Sequence, residues 1–253
     1  MFGWTSRFRS IHPAAWAAFL AAQAFAILFG WLGVQHHDAF GTWSYDMGIY
    51  DQGFWLVSRG GQSFMTVRGL EFWGHHLNLV VLLFVPFYWL GAGPAFLYVA
   101  QATVMGLGAI PVYLLARDRF ARPWIGFLFA CVFLGYAPVQ WIVWANFHPE
   151  ALVVTPLLAA WWCARTSRWR WFAVWILLAL STREDAALAV IVLGLVIVLP
   201  ALRRARGSRA FPAEFFAGIA TVAVGALWYL LATRLVIPHF NRGDDAFYIR
   251  AYY

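Results

Sequence analysis

The chain has 253 residues, of which 63% are hydrophobic and only 11% are charged, and its formal net charge is +7. A soluble domain carries roughly 25% charged residues, so this composition excludes an ordinary water-soluble protein. The chain has no lysine, and most of its arginines stand in short clusters between apolar runs. Membrane topology and anionic headgroups explain such clusters, and we expect membrane lipids as partners and no nucleic acid.

Apolar runs of about 20 residues, the length that crosses a hydrocarbon core roughly 30 Å thick, recur along the chain. Together with two shorter runs that flanking residues can complete, they predict seven spanning helices, at residues 13–34, 95–116, 123–145, 150–164, 171–182, 186–202 and 213–236. One more apolar run, 77–90, is shorter and is broken by Pro86, which favours an interfacial or re-entrant segment. The predicted fold is therefore all-α, a polytopic integral membrane protein with a single transmembrane domain over residues 1–253.

The arginine clusters orient the predicted helices. With the run 77–90 left outside, four clusters fall on one side of the membrane, which the positive-inside rule makes the cytoplasm. The clusters are Arg7 and Arg9; Arg117, Arg119 and Arg122; Arg165, Arg168 and Arg170; and Arg203, Arg204, Arg206 and Arg209. We therefore expect a cytoplasmic N-terminus, a first extracytoplasmic loop at residues 35–94 and an extracytoplasmic tail at residues 237–253.

Most other ionisable residues fall on the opposite side. These are Asp38, Asp46, Asp51, Glu71, Glu150, Glu184, Asp185, Asp244 and Asp245, with His36, His37, His75, His76, His148 and His239. The positive-inside rule says little about acids, and ionisable groups at the membrane edge are candidates for function. We therefore expect any chemistry to take place on the extracytoplasmic face.

The first extracytoplasmic loop contains a candidate interfacial helix at residues 45–55. Its apolar residues fall on one stripe at helical spacing, as in a helix that lies in the membrane interface. Asp46 and Asp51 are about 140° apart on such a helix, so they do not face one site unless the chain bends. Asp46 is either an N-terminal cap of the helix or a functional carboxylate.

A second polar cluster covers residues 146–150. Pro149 suits the first position of a helix, and Glu150 suits the positive end of the helix dipole, so a purely structural interpretation is open. His148 and Glu150 together also offer an imidazole and a carboxylate for metal ligation or proton transfer.

A third cluster covers residues 182–185. Thr182 and Asp185 have the spacing of a capping box, which is the structural alternative. Arg183 is an arginine on a short extracytoplasmic turn, against the positive-inside trend. A cation there can bind a phosphate or pair with the neighbouring carboxylates Glu184 and Asp185.

A fourth candidate is the pair His75 and His76. Adjacent residues point to different faces of a regular element, so we expect at most one of them to join a site. The residues alone do not distinguish the two.

The order of these segments resembles that of a bacterial membrane-protein family catalogued as a domain of unknown function (DUF2079) and grouped with the GT-C glycosyltransferases. The matching stretches are Tyr45-Asp46-Met47-Gly48-Ile49-Tyr50-Asp51-Gln52, Gly74-His75-His76, Phe147-His148-Pro149-Glu150-Ala151 and Arg183-Glu184-Asp185-Ala186. The resemblance implies a protein of the bacterial plasma membrane with a GT-C-like module of seven spanning helices. In that module the first outer loop is long and carries interfacial helices.

The resemblance also implies a function and a set of roles. GT-C enzymes transfer a sugar from a polyprenyl-phosphate donor to an acceptor on the extracytoplasmic face, and an acid of the first outer loop serves catalysis. Carried onto this chain, Asp46 and Glu150 are the catalytic residues. The residues expected to bind the substrate are Asp51, Gln52, His76, Arg183, Glu184 and Asp185.

Some GT-C relatives hold a divalent metal, Mg or Mn, and His148 with Glu150 are the ligands that this implies here. The chain departs from those relatives because it has a histidine beside the glutamate and no Asp-x-Asp pair. It also ends at Tyr253, whereas many such enzymes continue, so a truncated copy is one interpretation.

The sequence leaves two other functions open. One is a transporter or flippase for a lipid-linked or anionic solute, and the other is a non-catalytic membrane subunit with the GT-C fold. A site near the membrane midplane favours a transporter, whereas charges at helix ends favour an enzyme. The sequence leaves the sugar, the acceptor and the oligomeric state undetermined.

Overall fold

The computed structural model describes residues 12–42, 44–205 and 211–241. Helices dominate it, and they are numbered here in chain order. The long helices and their neighbours are α1 (Pro13–Asp38), α2 (Ser44–Ser58), α3 (Phe72–His75), α4 (Val81–Trp89), α5 (Pro94–Leu107), α6 (Ala109–Phe120), α7 (Pro123–Gly135), α8 (Ala137–Ala145), α9 (Val154–Arg165), α10 (Trp169–Thr182), α11 (Ala186–Ala205), α12 (Ala213–Leu231) and α13 (Ile237–Phe240). A 3₁₀ turn covers Pro149–Val153, and a π-helical turn covers Ala232–Val236.

Four helical stretches are long and apolar enough to cross a membrane: 13–38, 94–120, 186–205 and 213–240. A fifth results if α7 and α8, which meet at a bend of 47°, form one span. The expectation of a multi-pass, all-α membrane protein is therefore confirmed. The expected spans 150–164 and 171–182 correspond to α9 and α10, which are shorter than the roughly 20 residues that a perpendicular span needs. By length and composition, the described residues thus support four or five spans, and the finer prediction of seven spans is not confirmed.

The first compact unit combines residues 12–42 with 95–146. Its helix α1 packs against α6, α7 and α8. Gln101, which is fully buried, donates from Nε2 to the carbonyl oxygens of Ile142 at 2.9 Å and Asn146 at 2.8 Å. These carbonyls lie at the end of α8, where a helix leaves its last acceptors without partners, so the glutamine satisfies them inside an apolar environment.

The second unit combines residues 44–94 with the described residues after 146. Its apolar core lies among α9, α10 and α11 and includes Cys163, Phe172, Leu180 and Val190. Helices α11 and α12 approach closely where glycines face the partner helix. A Cβ on Gly218 would lie 2.7 Å from Cβ of Val198, so only a residue without a side chain fits there.

The segment before α5 folds within this second unit. Helix α2 is followed by a two-stranded antiparallel hairpin, β1 (Phe64–Met65) and β2 (Leu70–Glu71), and then by α3 and α4. Helix α4 falls in the run 77–90 that was expected to lie outside the spans, and with nine residues it is too short to cross a bilayer. Helices α2 and α4 pack on each other through Phe54, Phe84 and Tyr88.

Candidate functional site

A cavity of about 450 Å³ lies within the second unit. Its walls are formed by the start of α2, the end of α3, the two polar turns at residues 148–150 and 183–185, and the π-helical turn. The polar and aromatic residues that line it include Tyr45, Asp46, Tyr50, His75, His76, His148, Glu150, Arg183, Glu184, Asp185, Tyr229 and Thr233. A cavity of this size, with a few convergent polar groups, is typical of small-molecule sites.

The cavity brings together most of the residues that the sequence analysis selected: Asp46, His76, His148, Glu150, Arg183, Glu184 and Asp185. Asp51 and Gln52 are not among its lining residues. Asp51 accepts a hydrogen bond from the hydroxyl of Tyr88 at 2.8 Å, and Gln52 donates to Oγ1 of Thr66 at 2.8 Å and accepts from the amide of Val67 at 3.3 Å. Both side chains therefore fasten α2 to its neighbours, α4 and the hairpin.

Asp46 lies in the first turn of α2, after the residue at which the helix begins. Its carboxylate accepts no hydrogen bond and forms no ion pair with any residue among 12–42, 44–205 and 211–241. The helix turns by about 140° between Asp46 and Asp51, and this rotation explains why only Asp46 reaches the cavity. Asp46 is thus a partly buried carboxylate whose oxygens face the cavity without a protein donor in the described part of the chain.

Arg183 lies between two carboxylates. Its Nη1 donates to Oε1 of Glu150 at 2.6 Å, and its Nε donates to Oδ1 of Asp185 at 2.8 Å while Nη2 donates to the second oxygen, Oδ2. Oε1 of Glu150 also lies 3.4 Å from Nδ1 of His148. The two polar turns named above therefore share one network of charges at the cavity wall.

Local chain geometry explains these positions. His148 precedes the 3₁₀ turn, Pro149 is its first residue and Glu150 lies in its first turn, which is the arrangement that the sequence predicts. The capping-box alternative for Thr182 does not hold: Thr182 ends α10, and its hydroxyl donates back to the carbonyl of Ala179 at 2.8 Å. Asp185 is consequently available to Arg183.

The network shifts the pKa values of its members. Burial alone opposes ionisation of Glu150, but the hydrogen bond from His148 and the charge of Arg183 outweigh it and lower the pKa of Glu150 to about 2. Burial also disfavours the charged form of His148, yet the hydrogen bond to Glu150 and the charges of Glu150 and Asp46 raise its pKa. Burial opposes the charge of Arg183 as well, and its two carboxylate partners reverse this and raise its pKa.

A second, deeper pair supports the cavity wall. Nδ1 of His76 lies 2.6 Å from Oε1 of Glu184, and the amide of Leu77 donates to Oε2 of the same carboxylate at 3.0 Å. Asn78 donates from Nδ2 to the carbonyl of Thr182 at 2.6 Å. Burial alone would raise the pKa of Glu184, but the hydrogen bond and the charge of His76, with the backbone amide of Leu77, outweigh it and lower the pKa, so the carboxylate is held ionised. His76 and Glu184 fasten the end of α3 to the turn before α11.

His75 is the ionisable histidine of the cavity wall that was not among the selected site residues. Both histidines line the cavity because α3 ends between them: His75 closes the helix, and His76 is extended, with φ −148° and ψ 152°. The rule that adjacent side chains face opposite ways fails at this change of backbone conformation. His75 is 4% exposed, and burial, together with the electrostatic effect of its neighbours His76, Arg68 and Arg183, lowers its pKa to about 3. It is therefore a neutral imidazole at ordinary pH.

The donor set does not suit the divalent metal implied by the resemblance. In the described part of the chain, no three His, Cys, Asp or Glu side chains are grouped as metal ligands are. His148 and Glu150 supply two donors, and Oε1 of Glu150 is already held by Arg183.

The spans and the cavity define the class of the molecule: a polytopic α-helical membrane protein with a small cavity, which is lined by ionisable side chains from the turns between its helices. Comparison of the sequence with protein families identifies its family. A family model described as "Predicted membrane protein (DUF2079)" matches residues 36–252, and the chain belongs to this family. No curated protein and no solved structure shows a significant match.

Proposed function

We propose that this protein is a membrane glycosyltransferase, which takes a sugar from a polyprenyl-phosphate donor and transfers it to an acceptor hydroxyl in the cavity. The observation that carries the proposal is the presence of an acid and a cation on the same cavity wall. A carboxylate without a donor in the described part of the chain, Asp46, shares the wall with a fixed cation, Arg183. Sugar transfer from a lipid phosphate needs a base for the acceptor and a positive charge for the leaving group.

The proposed step is a single displacement. The acceptor hydroxyl loses its proton to Asp46 while its oxygen forms a bond to the anomeric carbon of the sugar. The bond from that carbon to the phosphate oxygen breaks, and the electron pair leaves with the polyprenyl phosphate, next to Arg183. Asp46 suits the role of base because no hydrogen bond from a described residue competes with the incoming hydroxyl.

Glu150 and His148 serve this step by position. Glu150 holds one edge of the Arg183 guanidinium, and His148 lies beside Glu150 on the same wall, where Glu150 and Asp46 favour its charged form. Tyr45, Tyr50 and Tyr229 also line the cavity, and aromatic faces with a polar end suit a sugar ring. In this proposal the extracytoplasmic position of the cavity and the GT-C-like module of seven helices follow from the resemblance.

The experiment compares two aspartates of the same helix. The purified full chain is incubated in detergent with farnesyl-phosphoryl monosaccharides, hexoses and pentoses, plus a bacterial lipid extract as the source of acceptors, and release of farnesyl phosphate is followed. Asp46→Asn should reduce release by at least about 100-fold, as loss of a general base does, whereas Asp51→Asn, which alters a residue outside the cavity, should retain it. Release that persists in both Asp46→Asn and Glu150→Gln would rule out the proposal.

The same materials test a transporter or flippase. In sealed vesicles, a flippase moves a fluorescent polyprenyl-phosphate sugar from one leaflet to the other without releasing the sugar. Movement without release would replace the enzyme by the transporter. If the wild-type chain neither moves the lipid nor releases the sugar, the non-catalytic subunit is the remaining function.

A further inference from the structure

The forked edge of Arg183 is occupied by a residue only two positions away. Nε and Nη2 donate to the two oxygens of Asp185, while Nη1 binds Glu150 on the other side. Two parallel N–H donors on one edge are the geometry with which arginine binds carboxylates and phosphates alike. Asp185 therefore fills the edge that would be the strongest phosphate-binding surface of the cavity.

The two carboxylates that bind Arg183 differ in their other partners and in their exposure. Glu150 contacts both Arg183 and His148, and its side chain is 29% exposed. The side chain of Asp185 is 42% exposed, and Arg183 is its only hydrogen-bonding or ion-pairing partner among the described residues. A more exposed carboxylate regains more hydration on release, so Asp185 is the partner that leaves Arg183 at lower cost.

We infer that Asp185 is a place-holder for a phosphate: the donor's phosphate displaces the Asp185 carboxylate from the forked edge of Arg183, while Glu150 keeps its hold on the opposite side. The inference rests on the proposed function and adds an exchange at the same site. It gives Arg183 a compensating charge at every stage, because a partly buried guanidinium without a counter-charge is costly. The exchange makes Asp185 a competitor of the substrate.

The test measures binding rather than transfer. Isothermal titration of the full chain in detergent uses three probes: farnesyl phosphate, farnesol and inorganic phosphate. Asp185→Asn keeps the shape of the side chain but removes its charge, and it should bind farnesyl phosphate about tenfold more tightly than the wild-type chain, which corresponds to roughly 1.4 kcal/mol. Arg183→Gln should lose this binding, and farnesol should bind all three proteins equally.

Asp118→Asn is the matched control. Asp118 also accepts a hydrogen bond from Nε of a neighbouring arginine, Arg117, at 2.8 Å, but it does not line the cavity. It should bind farnesyl phosphate as the wild-type chain does. Equal tightening in Asp118→Asn and Asp185→Asn would overturn the inference, because it would reflect only the general loss of negative charge.

The possible failures can be told apart. If the wild-type chain binds farnesyl phosphate and Asp185→Asn binds it no more tightly, the inference that Asp185 competes with the phosphate is wrong, and the proposed function is unaffected. If inorganic phosphate and farnesyl phosphate bind equally and both bind Asp185→Asn more tightly, the exchange is supported, but the lipid-linked donor is contradicted. Binding of neither phosphate to any variant would overturn both proposals.

Discussion

Nη1 of Arg183 and Oε1 of Glu150 meet at 2.6 Å, although the two residues belong to turns that are separated by two helices. The pair joins the turn before α9 to the turn before α11, and both side chains are more than two-thirds buried. Removal of water makes each charge dependent on the other, because a buried charge without a partner is far more costly than a paired one. The ion pair is thus a structural support of the cavity as well as part of its chemistry.

The first prediction measures this dependence with a double-mutant cycle. Arg183→Gln and Glu150→Gln should each lower the free energy of unfolding in detergent, and the double variant should lose less than their sum. The expected coupling is on the order of 1–3 kcal/mol because the pair is partly buried. Arg117 and Asp118, an exposed pair, should show a coupling below about 1 kcal/mol. Equal coupling in the two cycles would contradict the structural role.

The second prediction concerns two glycines of α2. A Cβ on Gly53 would lie 2.2 Å from the buried ring of Phe72, whereas a Cβ on Gly48 would meet Val67 at an ordinary 3.5 Å. Gly53→Ala should therefore destabilise the fold by about 1–3 kcal/mol through overpacking. Gly48→Ala should be neutral or stabilise by about 0.5–1 kcal/mol, since alanine favours the helix. Thermal unfolding of both variants is the measurement, and a loss in Gly48→Ala equal to that in Gly53→Ala would refute the packing.

The third prediction separates Asp51 from the cavity. The hydroxyl of Tyr88 donates to Asp51, and burial together with the carboxylate's charge raises the pKa of that tyrosine, so the bond persists at all ordinary pH values. Tyr88→Phe and Asp51→Asn should each cost about 1–2 kcal/mol of stability by weakening the contact between α2 and α4. Neither should change the affinity for farnesyl phosphate. A lower affinity in Asp51→Asn with unchanged stability would instead support Asp51 as a substrate-binding residue.

Local patterns in the sequence explain much of the fold. The apolar runs predict the long helices, and the helical spacing of apolar residues predicts α2 and the separation of Asp46 from Asp51. Helices α9 and α10 are shorter than the roughly 20 residues of a perpendicular span, as the short apolar runs at 150–164 and 171–182 indicate. Polar turns between apolar runs mark the candidate residues, since charged groups avoid the hydrocarbon core.

The pairings within the cavity could not be predicted in the same way. Arg183 with Glu150 and His76 with Glu184 join residues far apart in the chain, and no local pattern specifies such contacts. His75 was missed because the rule for adjacent residues assumes a regular backbone. The local signal for this site was the pair of histidines itself, which follows a glycine at position 74. The structure explains that glycine, because a Cβ there would lie 2.2 Å from Oδ1 of Asn241.

The fourth prediction uses the opposite pKa shifts of two cavity histidines. The pKa of His75 is lowered to about 3 by burial and nearby cations, so the unfolded chain binds this proton between pH 6.5 and 3 and the folded chain does not. Its contribution therefore makes the protein less stable as the pH falls below 6.5, by up to about 1.4 kcal/mol per pH unit. His75→Gln should reduce this sensitivity to acid.

His148 should behave in the opposite sense. Although burial opposes its charge, Glu150 and Asp46 raise its pKa, so the stability that its proton contributes is present below pH 6.5 and is lost as the pH rises through the folded pKa. His148→Gln should lower the stability at pH 6, and its difference from the wild-type chain should shrink toward pH 9. Unfolding temperatures of both variants in detergent from pH 5 to pH 9 give the measurement. Because the two histidines share one cavity, shifts of the same sign in both variants would mean that at least one of them does not have the surroundings described.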